Sequence, residues 1–175
     1  MATTIATPEV KQERQSPAGG FFALGGAALL AIGVFLDWLT PGRAVSGEEA
    51  ITGWDISSEM DGMDKLYIGN FWEEGFSPIF AGMAVLIAAG VLAVIGLWLV
   101  TARKRPGRGP GIGLRLLALL AFLMPAANLL SLFTFGPGTG VVNPGMGMWL
   151  SVVGGGIGFL GISLGSGGTV LRRTT

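Results

Sequence analysis

Four apolar runs decide what this 175-residue chain can fold into: residues 20–39, 78–101, 112–134 and 147–168. At about 1.5 Å rise per residue, runs of about 20 residues match a hydrocarbon core about 30 Å thick. Too little polar chain is left to cover four such helices in water. Half of the residues are hydrophobic and 13% are charged, against about 25% charged in an average soluble domain. In lipid every backbone group must find its partner inside the protein, so these runs become helices despite 31 glycines. The predicted fold is all-α: a polytopic membrane protein, a four-transmembrane-helix bundle with an outward-facing loop between helices 1 and 2.

Lys and Arg set the orientation. Lys11 and Arg14 precede the first run, Arg103, Lys104, Arg105 and Arg108 lie between the second and third, and Arg172 and Arg173 follow the fourth. The positive-inside rule places all three segments in the cytoplasm. The predicted organisation is a cytoplasmic tail (1–19), TM1 (20–39), an extracytoplasmic acidic and aromatic loop (40–77) and TM2 (78–101). A basic cytoplasmic loop (102–111), TM3 (112–134), an extracytoplasmic Gly/Pro loop (135–146), TM4 (147–168) and a cytoplasmic tail (169–175) complete it. The first run is long and no A-x-A site follows it cleanly, so it reads as an uncleaved signal anchor. The predicted location is the plasma membrane, multi-pass, with both termini cytoplasmic.

The helix faces differ. In the fourth run Ser151, Gly154, Gly158, Gly161, Gly165 and Gly168 recur at alternating steps of three and four. They make one face of small residues that lets a neighbouring backbone approach closely. The second run has a sparser version in Gly82, Ala89, Ala93 and Gly96, and the first has Ala23, Ala27 and Ala31. These stripes read as packing seams, within the bundle or between protomers. In the third run Pro125 should kink the helix or open its ladder, and Asn128 and Ser131 can bond across to a neighbour. Arg115, near the cytoplasmic end, should snorkel to the interface.

Asp37 closes the first run beside Trp38, in F-L-D-W-L-T-P. It reads as an interfacial carboxylate in the last turn of the span, or as a coupling group facing the bundle interior. Asp37 and Asn128 are the candidate functional polar residues. Trp38 and Trp149 fit an outer aromatic belt, and Trp98, Phe21 and Phe22 an inner one.

The outward loop interleaves carboxylates with aromatics, so part of it should fold over the helix ends, as a short strand pair or a helix. Trp54 and Trp72 are its candidate docking anchors, because buried aromatics dominate interface energies. The stretch 55–64 (D-I-S-S-E-M-D-G-M-D) invites a calcium reading. An EF-hand template started at Asp55 places Met60 where Gly is needed and Leu66 where the bidentate Glu is needed. The template fails, and no metal site is assigned.

With no Cys and no His, the chain offers no thiolate ligand, no cysteine nucleophile and no imidazole base. No cofactor is expected. Partners are expected among membrane lipids and other membrane proteins or a second copy, and nucleic acid is not one of them.

The combination G-V-F-L-D-W, then S-G and G-W-D in the outward loop, then G-M-G-M-W-L-S-V-V-G-G running into L-G-S, resembles small four-span membrane proteins common in actinobacteria. In those the first span ends F-L-P-W; here Asp37 stands where that family has Pro. The resemblance implies the four-span topology and a plasma-membrane location, and supplies no activity. The function expected from the sequence is a non-catalytic accessory or scaffolding subunit of a cell-envelope membrane complex. The alternatives are a small oligomeric channel or transporter component, and an enzyme using loop carboxylates.

Overall fold

The structure, a computed structural model, describes residues 17–43, 49–58, 82–102, 108–135 and 142–166. It contains α1 (Ala18–Val34), β1 (Asp37–Pro41), β2 (Ile51–Thr52), α2 (Gly53–Ser58), α3 (Gly82–Thr101), α4 (Arg108–Phe135), β3 (Val142–Pro144) and α5 (Met146–Gly165). Three helical segments are long and apolar enough to cross a membrane: α3, residues Gly109–Thr134 of α4, and α5. The fourth apolar helix, α1, has 17 residues, a length of about 26 Å.

The four long helices run alternately up and down. Gly19 of α1 lies against Gly161 and Gly165 of α5, and Gly33 lies against Gly147 and Ser151, so these two helices are antiparallel along their whole length. Gly20 meets Gly96 and Val100 of α3, while Val34 meets Gly82, which makes that pair antiparallel too. Phe122 packs on Gly155 and Gly111 on Ser166, setting α4 antiparallel to α5. The core runs through these seams. Ala23, Leu30, Val34, Val85, Leu92, Leu99, Ala118 and Ile162 are all buried.

The outside of the bundle is as apolar as its inside. Val94 and Leu164 are each 68% exposed, and Ile87, Leu116, Leu130 and Leu160 are more than half exposed. Small residues line the α1–α5 seam, while large apolar side chains cover the outer face as well as part of the core. That is the arrangement expected where lipid is the solvent, because a large side chain gains nothing by leaving it.

α4 continues through Pro125 from Arg108 to Phe135. Proline removes the helical partner of the Ala121 carbonyl, four residues back. A Cβ on Gly155 would lie 3.1 Å from that carbonyl oxygen and 2.8 Å from the Phe122 Cα. The neighbouring helix therefore presses its barest point against the freed group.

The first predicted span needs correction. Its helix stops at Val34, and residues 37–41 form a strand. Phe35 N–H bonds back to the Ile32 carbonyl and Leu36 N–H to that of Gly33, tightening the last turn. The strand then joins a three-stranded antiparallel sheet of order β2-β1-β3. Leu39, Thr40 and Pro41 face Pro144, Asn143 and Val142, which ties the segment after α1 to the segment before α5. On the other edge, Asp37 pairs with Thr52 and Leu39 with Ile51, so the ladder slips by one residue at Trp38. The slip breaks the usual alternation, and Trp38 and Leu39 both turn inward.

Candidate functional site

The α5 stripe is buried. Ser151, Gly154, Gly158, Gly161 and Gly165 all face the interior, and Gly168 lies outside the described residues. What fills the facing groove is chiefly glycine from α1, at Gly19, Gly26 and Gly33. A Cβ on Gly26 would meet the Gly154 carbonyl oxygen and the Gly158 nitrogen, each at 2.5 Å. Both are backbone atoms, so no rotamer change relieves the clash. Gly158 differs, because its nearest neighbour there is the end of the flexible Leu92 side chain, at 2.7 Å. Ser151 Oγ donates to the Gly147 carbonyl at 2.9 Å, which satisfies the one hydroxyl in the stripe within its own helix.

In α3, Gly82 packs on the Gly53 carbonyl and Gly96 on Leu24 and Gly20 of α1. Ala89 is buried, while Ala93 is half-buried against the core. Of the first-run alanines, Ala23 and Ala27 are buried and Ala31 is half-buried. The sequence reading emphasised these alanines and passed over Gly19, Gly26 and Gly33. Their spacing of seven was the available signal.

At the sheet end Trp38 takes the central place, which corrects its assignment to an aromatic belt. It is 1% exposed. Its indole Nε1 donates to the Gly33 carbonyl at 2.9 Å, using an acceptor at the end of α1. Gly53 lies flat on the indole: a Cβ there would sit 2.5 Å from Cε2. Trp149 and Trp98, by contrast, are exposed on the outside of the bundle.

Thr52 and Asp55 form a reciprocal cap at the start of α2. Asp55 Oδ2 accepts from the Thr52 N–H at 3.0 Å and from its hydroxyl at 2.7 Å, and the Asp55 N–H donates to Thr52 Oγ1 at 3.1 Å. The T-x-x-D spacing is a capping box, so Asp55 has a structural task. Trp54 on the same helix is 37% exposed and stacks at a tilt on Phe35, with ring centroids 5.7 Å apart. Trp72 lies outside the described residues.

Asp37 is exposed on β1, on the face away from the core and no longer in a helical turn. Asn128 is 1% exposed inside the bundle, and Ser131 Oγ donates to its backbone carbonyl at 2.9 Å. The two candidate polar residues thus sit in different settings. Among the described residues no three carboxylates gather where they could hold a metal ion.

At the opposite end Arg115 is more constrained than a snorkelling side chain. Its Nε donates to Ser166 Oγ at 2.9 Å and its Nη2 to the Ser163 carbonyl at 3.2 Å. Comparison with known protein families, with curated proteins and with solved structures finds no match to the chain.

Proposed function

We propose that this chain is a non-catalytic, four-span integral membrane protein that serves as an accessory or scaffolding subunit of a cell-envelope membrane complex. Counting α1 as the fourth span is supported by its alignment with α5. Gly19 lies level with the last turn of α5 and Gly33 level with its first. A helix that accompanies a spanning helix from end to end crosses with it, and 17 residues is the lower end of what suffices. The basic segments favour cytoplasmic termini. The F-L-D-W resemblance favours the plasma membrane.

The observation that carries the scaffold reading is how the interior is used. Backbone packs on backbone between α1 and α5, and Ser151, Trp38 and Arg115 all donate to acceptors of the fold itself. The glycine face of α5 is occupied within the chain and is therefore not the docking surface. The exposed Trp54–Phe35 pair at the sheet end takes that role. A second reading, an oligomeric channel component, draws on the buried Asn128 in α4.

The test is purification of a tagged copy from its native membrane in mild detergent, with mass spectrometry of what accompanies it. The expected result is one stoichiometric membrane partner for the unaltered chain, lost in Trp54→Ala while the purified variant stays folded. Recovery of this chain alone, with solute flux in liposomes abolished by Asn128→Leu, would replace the scaffold by the channel.

A further inference from the structure

We propose that Arg115 binds the phosphodiester of an anionic phospholipid, in the groove where the first turns of α4 meet the last turn of α5. The guanidinium is half-buried and held in place by Ser166 Oγ and the Ser163 carbonyl. Those two bonds use two of its five N–H donors. A fixed, planar fork with donors to spare matches the geometry of a phosphate.

The charge distribution calls for an anion here. The described carboxylates Asp37, Glu49 and Asp55 all belong to the sheet end, on or next to β1, β2 and α2. The chain segments joined to the Arg115 end carry Lys11, Arg14, Arg103, Lys104, Arg105, Arg108, Arg172 and Arg173 against only Glu9 and Glu13. A half-buried cation at such an end gains from an external counter-charge, and basic pockets between spanning helices take lipid headgroups. The surroundings favour a lipid over a free anion. Ile112 and Leu116 on α4 and Leu164 on α5 are exposed around the cation, at 53%, 56% and 68%. A ligand here meets positive charge with exposed apolar side chains beside it, Ile112 one turn nearer the helix end and Leu116 and Leu164 at the arginine's own level, a combination that suits a phospholipid better than a free anion.

The proposal requires that α4 and α5 cross a membrane. It is independent of the docking reading: a chain that purifies without a protein partner leaves it intact.

The full chain, solubilised in a neutral detergent, is offered dioleoylphosphatidylglycerol or dioleoylphosphatidylcholine, and lipid adducts are read by native mass spectrometry. One phosphatidylglycerol per chain should survive activation that strips phosphatidylcholine. Arg115→Gln should lower that retention by about tenfold, as expected for loss of a charge-assisted hydrogen-bonded contact. Arg115→Lys should fall between, and Arg103→Gln should stay near the unaltered chain. Equal retention of both lipids by the unaltered chain overturns the proposal. So does unchanged retention in Arg115→Gln with only a lowered melting temperature, which would mark the arginine as a helix clamp alone. Displacement of phosphatidylglycerol by millimolar inorganic phosphate would assign the site to free phosphate. Should Arg115→Gln not fold, the two-lipid comparison on the unaltered chain and Arg115→Lys still decide.

Discussion

Between α1 and α5 the contact is made by side chains that are absent, at Gly19, Gly26, Gly33, Gly154 and Gly161. At the sheet end it is made by one of the largest side chains there is, Trp38, enclosed by Gly53 and bonded to the Gly33 carbonyl. If α1 crosses the membrane with α5, as proposed above, the difference follows from the solvent. Within lipid an apolar side chain gains nothing by being covered, so helices associate through close backbone approach and dispersion. Beyond the helix ends, water is the competitor and burying an indole regains its usual driving force. Gly33 belongs to both regions: its Cα faces Ser151 in the seam and its carbonyl accepts the Trp38 N–H.

The largest expected effect comes from filling the seam. Gly26→Leu places carbon onto the backbone of Gly154 and Gly158, where nothing flexible can yield. It should leave no monodisperse protein after detergent extraction. Gly26→Ala should cost about 3 kcal/mol in denaturant titration in mixed micelles, the upper part of the overpacking range. Gly158→Ala should cost clearly less, because the Leu92 side chain can move. Equal costs at the two positions would mean that the seam relaxes as a whole.

Next comes the cap. Trp38→Ala removes a fully enclosed aromatic and should cost about 3–5 kcal/mol of cap stability. Its mark should be local: hydrogen exchange accelerates at Thr40 and Ile51, while the amides of Leu30 and Gly154 stay protected. If the α1–α5 amides exchange as fast as those of β1, the seam and the cap are one cooperative unit and the contrast between them fails. Trp38→Phe keeps most of the volume and loses the bond to Gly33, a change of about 1 kcal/mol. Smaller still and confined to α2, Asp55→Ala should cost about 1 kcal/mol through loss of its cap to Thr52. Its readout is loss of order around Trp54, seen as greater solvent quenching there in a variant whose other tryptophans are replaced by Phe.

The two regions were not equally legible in the sequence. The α5 stripe could be read because alternating steps of three and four define a helix face whatever the neighbour is. Its partner in α1 was harder to see, since Gly19, Gly26 and Gly33 are interspersed with Gly20 and Gly25, and residues 18–34 are apolar throughout. The sheet was hidden for a different reason. Residues 37–39 fall within the apolar run that ends at 39, and the strand's partners are strands of two and three residues, one of them about a hundred positions away. Local pattern does not encode such pairing. Trp38 at a span end has the same local signature as a belt tryptophan. With Asp37 facing outward, strand alternation turns Trp38 inward, and the slip in the β1–β2 ladder lets Leu39 be buried beside it. For Arg115 the position near a helix end was legible, but the acceptors on α5 that fix it were not.

The smallest expected effect has the opposite sign, and it tests whether close approach, rather than glycine itself, defines the seam. Gly90 lies in the middle of α3, on the exposed face shared with Ile87 and Val94; among the described residues, nothing beyond its own helical turn comes within 4 Å of where a Cβ would be. Alanine there meets no clash and narrows the unfolded chain's freedom, so Gly90→Ala should stabilise by about 0.5–1 kcal/mol in the same mixed-micelle titration. The same substitution at Gly26 should destabilise, although both positions are helical glycines flanked by apolar residues. A destabilising Gly90→Ala would mean that a second backbone approaches this face in the membrane, as it does at Gly26. The exposed face of α3 would then join the bundle's seams as a contact between chains, and chemical cross-linking at Val94→Cys would locate the partner.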